Sequence, residues 1–145
     1  MAHRYTGIKG KYWKLFAEYV RRRDYLTYGT CITCNQPKEY EELQAGHFAP
    51  AGNCGFALLF DELNVNGECA YDNAFNKGHL IQYKTNLIKR YGAKRVTDLE
   101  ERYNDSRYRG KTTKNWSKKE YEAKIIEIQQ KLASLPGASL ASYSE

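Results

Sequence analysis

The chain contains no apolar run approaching the roughly 18 residues that cross a bilayer, so a membrane is not among its expected partners. Its start lacks a signal-peptide core as well, because Met1-Ala2-His3-Arg4 leads into a polar, basic stretch. A cytoplasmic location is therefore the expectation. Proline is limited to 3 residues, and two of them, Pro37 and Pro50, fall in one irregular stretch. Histidine is equally scarce, so imidazole chemistry has to come from His3, His47 or His79. The 4 cysteines do not read as a disulfide framework in a reducing compartment. There is no internal repeat.

What is present is positive charge and tyrosine. Against 17 Asp and Glu stand 23 Lys and Arg, a net charge of +6. This excess suits a polyanionic partner, since each phosphate contacted by Lys or Arg releases a condensed counterion; simple solubility accounts for it equally well. The 13 tyrosines are many for this length. Most are expected to pack helix faces, and some could stack on bases. A chain of 145 residues fits one domain, or one compact domain with a helical appendage, better than two full domains.

Tyr12, Leu15, Phe16, Tyr19 and Val20 recur at helical spacing and predict a helix over 11–28, with Lys14, Arg21, Arg22 and Arg23 on its other face. Between Cys31 and Asn66 the helical signals stop, and the apolar pieces Leu43–Phe48 and Phe56–Phe60 read as two short strands joined by a loop. A long helix is expected from Asp72-Asn73 to Tyr91, with Phe75, Leu80, Tyr83, Leu87 and Ile88 inward and Gly78 as its weak point. A shorter one follows over 93–103, carried by Val96 and Leu99. Ser117 and Glu120 form a capping box that opens a last helix, with Tyr121, Ile125, Ile128 and Leu132 on one stripe. Pro136-Gly137 ends that helix. The expected fold class is α+β, mostly helical. Residues 1–103 would form the main domain with its basic N-terminal helix, 104–135 a basic loop and a helix packed on it, and 136–145 a disordered tail.

Cys31 and Cys34 form a C-x-x-C, a spacing that turns two thiolates toward one point. Cys69 lies well downstream, with Asp72 where a second C-x-x-C would place cysteine. Three thiolates and a carboxylate make a legitimate zinc site, structural because four protein ligands leave no open position. Two other readings stay open. Cys54 would make the site all-thiolate and leave Asp72 as a helix cap, or the cysteines are simply buried.

Between the ligand pairs sit Ala45-Gly46-His47-Phe48 and Phe60-Asp61-Glu62-Leu63-Asn64, followed by Asn73 and His79. Phosphodiester hydrolysis needs a base for water, and His47 suits neutral pH. The base must be held in one tautomer by an amide or carbonyl, the role expected of Asn64. A hard cation, Mg2+ or Mn2+, neutralises the phosphate; Asn73 is the expected ligand and His79 the second. Asp61 and Glu62 read as turn and cap residues, although Asp61 or a backbone carbonyl could stand in for a missing carboxylate ligand.

The run A-G-H-F, F-D-E-x-N-V-N, C-x-x-x-N, then a glycine, Tyr83, Leu87, Tyr91-Gly92 and Val96 to Glu100 resembles the phage NinG (Rap) recombination nuclease family over 12–103. The resemblance implies an HNH (ββα-metal) core and an endonuclease that cuts branched DNA such as Holliday junctions and D-loops. Arg21, Arg22, Arg23, Lys77, Arg107, Arg109, Lys111 and Lys114 are the expected phosphate contacts, and a homodimer would suit a symmetric junction. The sequence departs from the family pattern in places. Asp72 replaces a family cysteine, Leu59 a family arginine, and His79 a family asparagine. As in the resembled family, Gly46 stands where many HNH enzymes carry an acidic metal ligand. These departures leave a second class open: a zinc-stapled DNA- or protein-binding module without catalysis.

Overall fold

The computed structural model describes residues 5–76, 78–105 and 115–137. His3, Lys77, Arg107, Arg109, Lys111, Lys114 and the tail from residue 138 lie outside the described residues. Helix α1 (Gly7–Thr27) buries Tyr12, Leu15, Phe16 and Val20, the stripe its periodicity marks. A single helical turn at Tyr40–Glu42 leads into strand β1 (Leu43–His47). After α2 (Phe56–Leu59) comes β2 (Val65–Cys69), then α3 (Ala70–Ala74), α4 (His79–Tyr91), α5 (Ala93–Asn104) and α6 (Lys118–Ser134). The class is α+β. Among the described residues, no helix is long and apolar enough to cross a membrane.

The sheet is a two-stranded antiparallel ribbon, paired from Leu43↔Cys69 at one end to His47↔Val65 at the other. One core cluster joins α1 to α6 through Tyr12, Phe16, Tyr121, Ile125, Ile128 and Leu132. Burying such side chains stabilises by roughly 1.5–3 kcal/mol each. Helix α6 opens on the capping box, with the Glu120 amide donating to Ser117 Oγ at 3.2 Å and the Ser117 amide donating to Glu120 at 3.0 Å. A second cluster, Ile32, Leu58, Tyr83, Leu87, Val96 and Leu99, holds α4 and α5 to the loops.

Two expectations are corrected. The second strand is Val65–Cys69, whereas Phe56–Leu59 is a helical turn. The strand's Val-Asn-Gly-Glu-Cys run is buried at every position, so neither alternation nor an apolar run marks it. Its polar side chains find partners inside instead, as when Asn66 Nδ2 donates to the Tyr83 hydroxyl at 3.1 Å. The long helix expected from Asp72 to Tyr91 is broken between Ala74 and His79, beside the weak Gly78. Phe75, expected inward, is 73% exposed in this break. Asn76 shapes the turn by donating to Asp72 Oδ1 at 2.9 Å and accepting from the Gly78 amide at 3.1 Å. Breaking the helix sends α3 along the ribbon and lets α4 start afresh at His79.

Candidate functional site

The ribbon has two chemically distinct ends. At the Leu43–Cys69 end, a tight turn closed by the Thr30↔Pro37 bridge, with Asn35 at φ 61°, presents Cys31 and Cys34 together. Cys69 ends β2 and Asp72 lies in the first turn of α3, which follows it without a loop. Ligand atoms of Cys31, Cys34, Cys69 and Asp72 all lie within 4.8 Å of one another. The amides of Thr33, Cys34 and Cys69 donate to Cys31 Sγ at 3.3, 3.4 and 3.3 Å. Such donors compensate a thiolate's charge, so the group fits a metal ion of the zinc type. Burial pushes the Cys31 and Cys69 thiols up. The Asp72 carboxyl is also pushed up by burial, but hydrogen bonds from Asn76, Cys69, Cys31 and Cys34 outweigh this and lower it. Cys54 belongs elsewhere: it packs with Ile32, Leu58 and Tyr83 in the second core cluster, so the all-thiolate alternative is not the arrangement found.

At the other end, His47 closes β1 and lines a cavity of about 310 Å³ together with Tyr5, Trp13, Pro50, Asn73 and His79. Trp13 of α1 stacks on the His47 ring, centroids 5.5 Å apart and planes 20° apart. His47 Nε2 lies 2.9 Å from the Leu59 carbonyl. A carbonyl oxygen only accepts, so Nε2 carries a hydrogen. The structure therefore brings three expected residues, His47, Asn73 and His79, to one cavity.

Asn64 acts at one remove. Its amide takes the Ala49 N–H at 2.7 Å and donates to the carbonyls of Ala49 and Leu58 at 3.2 and 3.0 Å. Thus it pins the chain beyond His47 to the turn that offers the Leu59 carbonyl. The ring's partner is that carbonyl, in place of the Asn64 amide expected from the sequence. Asp61 accepts from the Leu63 amide at 2.8 Å and pairs with Arg102 at 2.9 Å, a turn residue and no substitute ligand.

The basic triplet of α1 is largely engaged in the fold. Arg23 donates to Asp24, to the Glu62 and Val65 carbonyls and to Asn66, with its side chain 15% exposed. It braces β2 instead of offering a phosphate contact. Arg21 donates to the Leu43 carbonyl at 2.7 Å, and the guanidinium groups of Arg21 and Arg22 lie 4.4 and 4.7 Å from the centre of the Tyr40 ring.

Sequence reasoning missed Glu68. This carboxylate is fully buried, and its Oε2 takes the Thr33 hydroxyl at 2.5 Å and His79 Nδ1 at 2.6 Å. Burial pushes its carboxyl up, against the lowering effect of those two hydrogen bonds. Its opposite residue in the ribbon, Gln44, accepts from Asn73 Nδ2 at 2.8 Å. The available signal was an acid one position before Cys69, in a short run otherwise free of charge.

The model of the family described as Bacteriophage Lambda NinG protein matches residues 4–131. The chain belongs to the NinG family. The NinG proteins of Escherichia phage lambda, Escherichia phage 933W and Salmonella phage P22 are each 30% identical to it over 105 residues, 72% of this chain and 47% of theirs. The chain thus spans about half the length of the curated NinG relatives it matches. The metal-ligand set and His47, Asn73 and His79 all fall within the residues that match the NinG model. No solved structure matches the chain.

Proposed function

We propose that this NinG-family chain is a metal-dependent endonuclease of the HNH (ββα-metal) type, stapled by zinc, that cuts phosphodiester bonds in branched DNA in the cytoplasm of an infected cell. The order of parts supports this reading: a histidine at the end of the first strand, an antiparallel return strand, then a helix whose asparagine faces the same cavity. The observation that carries it is that His47, its Nε2 2.9 Å from the Leu59 carbonyl, lines one cavity with Asn73 and His79. Stacking on Trp13 fixes the plane of the ring.

In the proposed reaction Nδ1 of His47 takes a proton from water as the water oxygen bonds to phosphorus. The bond from phosphorus to the 3′-oxygen breaks, and that oxygen leaves to be protonated by solvent. The Asn73 oxygen and the His79 imidazole are ligands suited to Mg2+ or Mn2+, which when bound supplies charge neutralisation at the phosphate. Around the cavity, the Lys9 amine lies 4.7 Å from the Tyr5 ring, bringing positive charge to the rim. Tyr71 and Phe75, largely exposed with rings 6.3 Å apart, flank Asn73 and suit stacking on unpaired bases.

The test is nicking of a four-way junction in Mg2+ or Mn2+. His47→Ala should slow cutting by roughly 10²–10⁴-fold, the scale of general-base catalysis, while junction affinity stays within a few-fold. Cutting by His47→Ala at the wild-type rate would remove the base and with it the reading.

A further inference from the structure

We infer that the cross-strand pair Gln44 and Glu68 positions the ligands of the catalytic cation site, with Glu68 occupying the space that glycine at position 46 leaves open. This rests on the endonuclease reading and extends it to residues that reading does not use. The two residues face each other in the ribbon register, and each holds one of the two helix-borne ligands. Gln44 takes the Asn73 Nδ2 hydrogen at 2.8 Å, which commits Asn73 Oδ1 to act as an oxygen ligand. Glu68 Oε2 takes the His79 Nδ1 hydrogen at 2.6 Å, which leaves Nε2 as the ring's ligand atom. A carboxylate behind an imidazole fixes its tautomer and raises its basicity toward a metal.

Glu68 is too costly a residue to sit there for packing alone. Its side chain is fully buried, and its Oε1 has no hydrogen-bond partner among the described residues. A buried anion of this kind calls for compensating positive charge, and a cation on His79 supplies it through the ring. Gly46 makes the arrangement possible. A Cβ at position 46 would stand 2.3 Å from Glu68 Oε1 and 3.1 Å from Asn73 Oδ1. Any side chain there would displace the carboxylate, so the missing acid on β1 and the buried acid on β2 share one space. Glu68 and Gln44 are positioning residues, and Asn73 and His79 are the ligands they aim.

Calorimetry with Mn2+ on the zinc-loaded chain tests this, with bound zinc measured for every variant. Glu68→Gln and His79→Ala should each weaken Mn2+ binding about 10–100-fold, and the double variant little further. Glu101→Gln, an exposed carboxylate on α5, should bind as the wild type does. Nitrogen NMR of the wild type should place the His79 proton on Nδ1, and Glu68→Gln should shift that signature. Unchanged Mn2+ affinity in zinc-replete Glu68→Gln, or no Mn2+ binding by the wild type, overturns the inference. Should Glu68→Gln fail to retain zinc, His79→Ala and the wild-type NMR decide it, and a His79 proton on Nε2 counts against it. Loss of Mn2+ binding in these variants, in a chain that nicks no DNA, would sink the endonuclease reading and leave the cation site standing. Nicking with unchanged Mn2+ affinity in Glu68→Gln would do the reverse.

Discussion

The two ends of one five-residue ribbon solve opposite problems with neighbouring residues. At the Cys69 end four ligand atoms crowd within 4.8 Å, enough to hold a tetrahedral metal ion, and backbone amides surround the sulfur of Cys31. At the His47 end the polar groups line an open cavity and are held from behind by Leu59, Gln44 and Glu68. Adjacent residues divide between the ends: Cys69 and Asp72 serve the closed site, while Glu68 and Asn73 serve the open one. Four crowded ligand atoms suit a structural metal ion, whereas an open cavity admits water. Helix α3, only five residues long, joins the two because it follows β2 directly.

The comparison can be broken most forcefully at the closed end. Cys31→Ser, or a strong chelator, should remove zinc and with it metal-linked folding free energy on the order of 10 kcal/mol. Cooperative thermal unfolding by circular dichroism should be lost, and cutting with it. A zinc-free variant that still melts cooperatively at the wild-type temperature would mean the cysteines are only buried. The burial that pushes the Cys31 and Cys69 thiols up has a further consequence: zinc binding must release protons. Zinc affinity should therefore weaken as pH falls, which competition with a chromogenic chelator at stepped pH would read.

A smaller effect is expected between the two ends. Asn64→Ala removes three hydrogen bonds and leaves the Ala49 amide and two carbonyls buried without that partner. The Leu58 carbonyl keeps the Asp61 amide, so the two groups left unmet, at about 1–3 kcal/mol each, should lower stability by about 2–6 kcal/mol in a urea titration at full zinc occupancy. Nicking should fall too, because the turn that offers the Leu59 carbonyl loosens. A variant of wild-type stability would show that Asn64 does not hold this turn. The smallest effect belongs to Cys54→Ala, where a buried sulfur outside the metal cluster is lost. About 1 kcal/mol is expected, with zinc content unchanged; a drop in zinc would move Cys54 into the ligand shell.

Much of the site was legible because its signals are local. The C-x-x-C spacing and the Ser117–Glu120 box each act over a few residues, and both recur in the structure as the sequence implies. Asp72 was placed by its distance from Cys69 along the chain, a distance that one helical turn preserves. The heptad-like stripes of α1 and α6 were equally plain, since a helix repeats its buried face every three or four residues. Less legible was β2. A strand buried on both faces yet holding Asn66 and Glu68 matches neither an alternating nor an apolar pattern, so the second strand was sought at Phe56 instead.

By itself, then, the order of residues determined the long flanking helices, the cluster that could hold a metal ion and the histidine proposed as the base. Tertiary structure alone decided who holds that histidine, what Arg23 does, and why position 46 has no side chain. Those answers depend on contacts between residues distant in the chain, Leu59 with His47, Arg23 with Val65, and Glu68 against Gly46. A carbonyl or a buried carboxylate acquires its role only when folding brings a partner to it, and no spacing along the chain encodes that meeting.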